Sequence, residues 1–174
     1  GPNSVQAQPA NDMCSGAIPL TVGTPVTGNN STATSTNDGP AASCQGTANK
    51  GVWYTFTSTG GSFEISTCGS PQDTVLTVFQ TDCTNFTQVT GGCDDDSCDG
   101  VNPPGSGLAA IIGALSLPAG TYYIRVASFG SAPAGSDFTL VVNTVASGAC
   151  CNNTTGACTT TTSTGCTGTY LGDA

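Results

Sequence analysis

Cys93-Asp94-Asp95-Asp96-Ser97-Cys98-Asp99 places four carboxylates within six residues and brackets three of them between cysteines. The chain of 174 residues has only two basic side chains, Lys50 and Arg125, and no histidine. Salt bridges from within the chain therefore cannot neutralise the cluster. Crowded carboxylates repel one another unless they are solvated, partly protonated or holding a cation. A hard, oxygen-seeking divalent ion, calcium above all, suits such an array.

The elements around the cluster sharpen this. Thr74–Phe79 and Phe86–Thr90 read as two antiparallel strands joined by a turn at Thr81-Asp82-Cys83-Thr84-Asn85. In that hairpin Phe79 lies near Phe86 and position 73 roughly faces position 92. Asp73 then arrives beside Asp94, Asp95 and Asp96, and loop carbonyls can complete the six to eight oxygens that calcium wants. A Cys93–Cys98 bridge would close the loop before the ion arrives. The competing reading is a solvated acidic turn. A second candidate set is Asn11-Asp12 with Asn37-Asp38, although Asn and Asp also start turns through bonds to their own backbone.

Catalysis finds little to work with. Without histidine, and with every cysteine expected in a bridge, Ser/His and Cys/His schemes are excluded. A two-carboxylate glycosidase would need Glu64, the only glutamate, which alternation places on the outer face of a short strand. We expect no enzyme. Among the aromatics Trp53, Tyr54, Tyr122, Tyr123 and Phe129, most are expected in the core. Trp53 and Tyr123 point opposite to their apolar neighbours and are the better candidates to stack on a sugar, unless a loop or the tail covers that face.

Charged residues make up 7% of the chain, against a usual quarter, while hydrophobic residues reach 37%. The polarity comes from Thr, Ser, Asn and Gly. The net charge of −9 leaves no basic patch for nucleic acid. The sequence has no run of about 20 apolar residues, so no membrane insertion is expected, and a leader peptide is expected to have been removed. Ten cysteines without a CxxC pair read as disulfides in an oxidising, extracellular setting.

Residues 1–10 read as an arm. Residues 11–146 alternate short β patterns with turns: Val52, Tyr54 and Phe56 share one face, as do Phe63 with Ile65, Tyr122 with Ile124 and Val126, and Phe138 with Leu140 and Val142. Leu108–Leu117 is apolar enough for a helix, but Gly113 and the flanking Pro104 and Pro118 favour a buried strand. Seven or more such strands predict an all-β fold, an antiparallel β-sandwich of jelly-roll type. Residues 147–174 form a Thr/Gly/Cys-rich tail with almost no core-forming side chains, so disulfides must hold its shape. Asn29 to Thr32, Asn85 to Thr87 and Asn152 to Thr155 contain N-x-S/T triplets.

Asn11-Asp12-x-Cys14-x-x-Ala17, Val52-Trp53-Tyr54-Thr55-Phe56, Ser66-Thr67-Cys68-Gly69-Ser70, Asp73-Thr74-x-Leu76, Cys93-x-Asp95-Asp96-x-Cys98 and Ala119-Gly120-Thr121-Tyr122-Tyr123-Ile124-Arg125-Val126 occur in that order. This set resembles the bacterial pre-peptidase C-terminal domain in its cysteine-containing variety, over residues 11–143. The resemblance implies an exported, often calcium-binding jelly-roll-like sandwich that serves as an accessory module, some relatives binding collagen or polysaccharide. It carries Asn11, Asp12 and Asp38 onto the region where collagen-binding relatives hold calcium. The tail resembles a Cys-rich repeat of planctomycete-type surface proteins. For the body we expect Cys93–Cys98 and Cys14–Cys44, with Cys68–Cys83 left by elimination. Cys150, Cys151, Cys158 and Cys166 are expected to pair among themselves.

The reading is thus a calcium-stabilised extracellular module for adhesion or for binding a polysaccharide or protein. The alternative is a structural subunit that assembles with copies of itself into a fibre or sheath.

Overall fold

The computed structural model describes residues 7–36, 38–80, 82–98, 108–130, 135–162 and 166–173, with the backbone alone for 162 and 170–173. Asp99, Pro104 and the arm residues 1–6 lie outside the described residues.

Two β-sheets pack face to face. The first holds β1 (Ile18–Pro19), β3 (Ala48–Ser58), β8 (Gly120–Phe129), β5 (Thr74–Gln80) and β6 (Thr87–Asp94), in that order. The second runs β2 (Val26–Asn29), β9 (Asp137–Val145), β4 (Gly61–Ser66), β7 (Ile111–Leu117). Pairing is antiparallel except between β1 and β3. The chain is an all-β sandwich, as its alternation predicts, and Ile111–Leu117 is a strand. Among the described residues the only helical piece is a 3-10 turn at Cys14–Gly16, and no helix is long and apolar enough to cross a membrane.

Period-2 alternation builds the core. Val52, Tyr54 and Phe56 from β3 and Tyr122, Ile124 and Val126 from β8 meet Phe63 and Ile65 from β4 and Phe138, Leu140 and Val142 from β9. Tyr54 meets Phe138 edge-on at 6.1 Å between ring centroids, and Phe56 lies 5.5 Å from Phe63. Each such ring or branched chain contributes about 1.5–3 kcal/mol by leaving water.

The first sheet is buried on its other face as well. There Trp53, Phe79 and Cys14 pack with Phe86 and Tyr123, and Val75 and Ala127 pack with Ala42. Arg125, on the same face, is 3% exposed. Its guanidinium donates to the carbonyls of Asp38 and Pro40 and lies 5.8 Å from the Trp53 ring centre and 5.5 Å from that of Phe79. Gly51 makes this possible, because a Cβ there would stand 2.9 Å from Arg125 Cδ and 3.1 Å from Asp38 Cγ.

Three disulfides overlap along the body: Cys14–Cys83, Cys44–Cys93 and Cys68–Cys98. These correct the expected Cys93–Cys98, Cys14–Cys44 and Cys68–Cys83. Cys93 is in β6 and packs against the cluster around Ala42, in the segment before β3, which places Cys44 beside it; the Cys44 N–H points at Cys93 Sγ, 3.2 Å away. The awkward distance between Cys68 and Cys83, at opposite ends of the β5–β6 hairpin, is resolved by giving each another partner.

The tail forms a separate three-stranded sheet, β11 (Cys158–Thr162), β10 (Ser147–Cys151), β12 (Thr169–Asp173). Its cysteines pair internally as expected, Cys150–Cys166 and Cys151–Cys158. Five disulfides suit an oxidising environment.

Candidate metal centre

Asp73 is fixed from both sides of its backbone. Its carbonyl accepts from Phe129 N–H at 3.1 Å, and the next residue, Thr74, donates its N–H to Leu108 O at 3.1 Å. Gln72, just before, bonds Asn30 and accepts from Ser128. The side chain at 73 thus leaves an anchored strand start rather than a loose loop.

The partner loop follows β6, and here the register differs from the simple hairpin. Phe79 pairs with Gln88 and Thr77 with Cys93, so Val78 alone is opposed by the four residues Val89 to Gly92. A bulge absorbs the excess, with Gly91 in the left-handed region at φ +76°, where a side chain would be strained. The bulge slides the acidic run along β5 until Leu76 faces Asp94. Asp94 is still in the strand, and the residues that reach Asp73 are Asp95 and Asp96.

One carboxylate oxygen each of Asp73, Asp95 and Asp96 lies within 4.8 Å of the others. Asp94 is outside this set, and its oxygens are taken by other donors. It accepts from Ser97 N–H at 3.1 Å, Ser97 Oγ at 2.6 Å and Ile111 N–H at 2.9 Å, which locks the turn. Gln45, a residue that local sequence signals did not single out, donates Nε2 to Asp95 Oδ2 at 2.9 Å. It arrives because Cys44, its neighbour, is tied to Cys93. Cys98 ties the far end of the loop to Cys68.

Asp73 Oδ1 and Asp95 Oδ1 are both buried and have no hydrogen-bond partner. Burial, then the charges of Asp95 and Asp96, push the Asp73 carboxyl up to about 6. The two basic side chains are engaged elsewhere: Lys50 Nζ donates to Ser31 O, and Arg125 binds the Asp38 and Pro40 carbonyls. Calcium takes oxygens at about 2.3–2.6 Å, so ligands across the ion stand about 4.6–5.2 Å apart. Carboxylate oxygens no more than 4.8 Å apart are close enough to share one such ion, and the all-oxygen donor set suits calcium rather than a thiophilic metal.

Asn11, Asp12 and Asp38 do not join this group. Asn11 and Trp53 exchange two bonds, Asn11 Nδ2 to Trp53 O and Trp53 N–H to Asn11 O, both 2.9 Å. Asp12 accepts from Thr34 N–H at 2.7 Å and Thr34 Oγ1 at 2.8 Å. Asp38 accepts from Gly51 N–H at 3.0 Å. Burial raises the Asp38 carboxyl, with the Gly51 bond and the Arg125 charge opposing and the Asp12 charge adding. These residues hold the segment before β1 and the loop before β3 onto the sheet.

Trp53 is 0% exposed and cannot stack on a ligand. Its ring lies 5.5 Å from Phe79 and 5.1 Å from Phe86, under the chain around Cys14 and Cys83. Tyr123 is half-buried against the same cluster. The face that alternation assigned to solvent is a second core.

No family model matches the chain, and no curated protein shows significant similarity to it. Among solved structures, the pre-peptidase C-terminal domain of a collagenase from Bacillus anthracis is similar at 14% identity with a TM-score of 0.41. That likeness covers 72% of this chain and 93% of the other.

Proposed function

We propose that the chain is a non-catalytic, calcium-stabilised β-sandwich module of an exported protein, serving adhesion or the binding of a polysaccharide or extracellular protein. The observation that carries the calcium reading is the convergence of Asp73, Asp95 and Asp96, with buried, donorless oxygens on Asp73 and Asp95. Three carboxylates held this close without a cation from the chain are a stored repulsion, and a divalent ion removes it. Those three residues would hold the ion, with Gln45 orienting Asp95 from behind. The ion's role is structural: it ties the start of β5 to the end of β6. The resemblance of the ordered motifs to pre-peptidase C-terminal domains, and of the tail to a Cys-rich repeat of planctomycete-type surface proteins, supports export and an accessory role.

Isothermal titration of the disulfide-intact chain with calcium tests this. We expect one site, lost in Asp95→Asn and retained in Asp94→Asn. A chain that takes up no calcium, or an Asp95→Asn variant that binds it unchanged, would sink the reading.

A further inference from the structure

Sheet edges are where a β protein risks pairing with another chain, and most edges here are guarded. β1 is two residues long and contains Pro19. β6 carries the bulge at Val89 to Gly92 and ends on Asp94. β2 has four residues and ends at Asn29, whose carboxamide donates to Asp137. In the tail sheet, β12 includes Asp173, and its register with β10 shifts between Gly148 and Cys150. Such prolines, charges and bulges are how natural sheets blunt their edges.

β11 has none of them. It is Cys158 followed by four threonines, paired to β10 in unbroken register from Ser147↔Thr162 to Cys151↔Cys158. No described strand pairs with its outer side. Thr159 and Thr160 are exposed. Threonine has high β propensity, and Thr–Thr cross-strand pairs are favourable. The Cys151–Cys158 bridge fixes one end of the strand, so little ordering is left to do on docking.

We propose that β11 pairs antiparallel with β11 of a second copy, giving one six-stranded sheet across a two-fold axis. Charge favours this partner. The chain carries a net −9, yet no charged residue lies between Ser147 and Gly172, so two copies can pair here without setting like charges face to face. A two-fold centred on Thr160 sets Thr159 opposite Thr161 of the copy and Thr160 opposite itself. The pairing is independent of the metal reading.

Sedimentation equilibrium on the full chain, with its five disulfides verified by intact mass, tests the contact. We expect the average mass to rise toward twice that of one chain, with a dissociation constant of about 100 µM. Thr160→Lys and Thr160→Glu should each weaken association about fivefold by setting like charges face to face, and mixing the two variants should restore it. A wild-type chain that stays single at about 1 mM would overturn the proposal. So would Thr160→Lys that associates as tightly as wild type, or a mixture no tighter than its components. Association abolished by chelator would place the contact at the acidic loop, and a single chain that captures a free Thr-rich peptide would make the occupant foreign. Either result also overturns it.

Discussion

Asp12 and Asp38 on one side, and Asp73, Asp95 and Asp96 on the other, are the same chemical group in two kinds of surroundings. In the first pair Thr34 bonds both oxygens of Asp12, and Gly51 N–H and the Arg125 charge attend Asp38, whose Oδ1 is nonetheless buried without a hydrogen-bond partner. In the second set the carboxylates of Asp73, Asp95 and Asp96 face one another. Two of its oxygens are buried without a donor, although Gln45 serves the other oxygen of Asp95. A buried, donorless carboxylate oxygen points to a cation where further carboxylates converge on it, as at Asp73, and not where a guanidinium charge offsets it, as at Asp38. The sign of the neighbouring charge, positive from Arg125 at Asp38 and negative from Asp95 and Asp96 at Asp73, separates two sites that composition alone would rank equally.

The largest test of this contrast is removal of calcium. An ion at about 100 times its dissociation constant adds about 2.7 kcal/mol, or about 5–10 °C in Tm for a domain of this size. Scanning calorimetry in calcium and then in EDTA reads it, and identical Tm values would erase the distinction between the two sites. Next in size is Asp12→Ala, which strands Thr34 N–H and should cost about 1–3 kcal/mol. That loss should be equal in calcium and in EDTA; a loss confined to calcium would move Asp12 into the metal set.

Asp73→Asn should change sign with conditions. In EDTA it relieves repulsion and raises stability by about 0.2–1 kcal/mol, whereas in calcium it removes a ligand and lowers stability. Urea midpoints followed by Trp53 fluorescence would show the crossover, and one sign in both buffers would deny the site. The smallest effect is on pH. The Asp73 carboxyl is raised from the usual 3.8 to about 6 in the fold, so the folded chain binds more protons than the unfolded one between those values. In EDTA, stability from Asp73 is therefore greatest below about 4 and falls as pH rises to about 6. Calcium should flatten that decline, and a chelated chain that gains stability over this window would contradict the clustering.

Much of the sandwich can be read from alternation, because Val52, Tyr54, Phe56, Phe138, Leu140 and Val142 obey a period that burial on one face imposes. The same rule misleads at Trp53, which it turns to solvent and the fold buries. A local pattern reports which side a residue faces, and says nothing about a loop 40 residues away that covers that side. Asp73 could be placed near the acidic run from strand pairing. Which aspartates it meets depended on the bulge at Val89 to Gly92, and the Gly91-Gly92 pair is the only local hint of it. Disulfide pairing was the least legible, since Cys44–Cys93 follows from how the segment before β3 crosses β6, a tertiary fact without a short-range signature.

The overlapping bridges also govern how the chain bears load. Tension applied at its two ends crosses from Cys14 to Cys83 through sulfur, so β1 to β5 lie off the loaded path. Cys44–Cys93 and Cys68–Cys98 fasten that bypassed part to the far side, where it cannot be drawn out. With 69 positions withheld, at about 3.4 Å each, roughly 230 Å of contour never becomes available to extension. Pulled from both ends, the oxidised chain is a tether with a fixed maximum length.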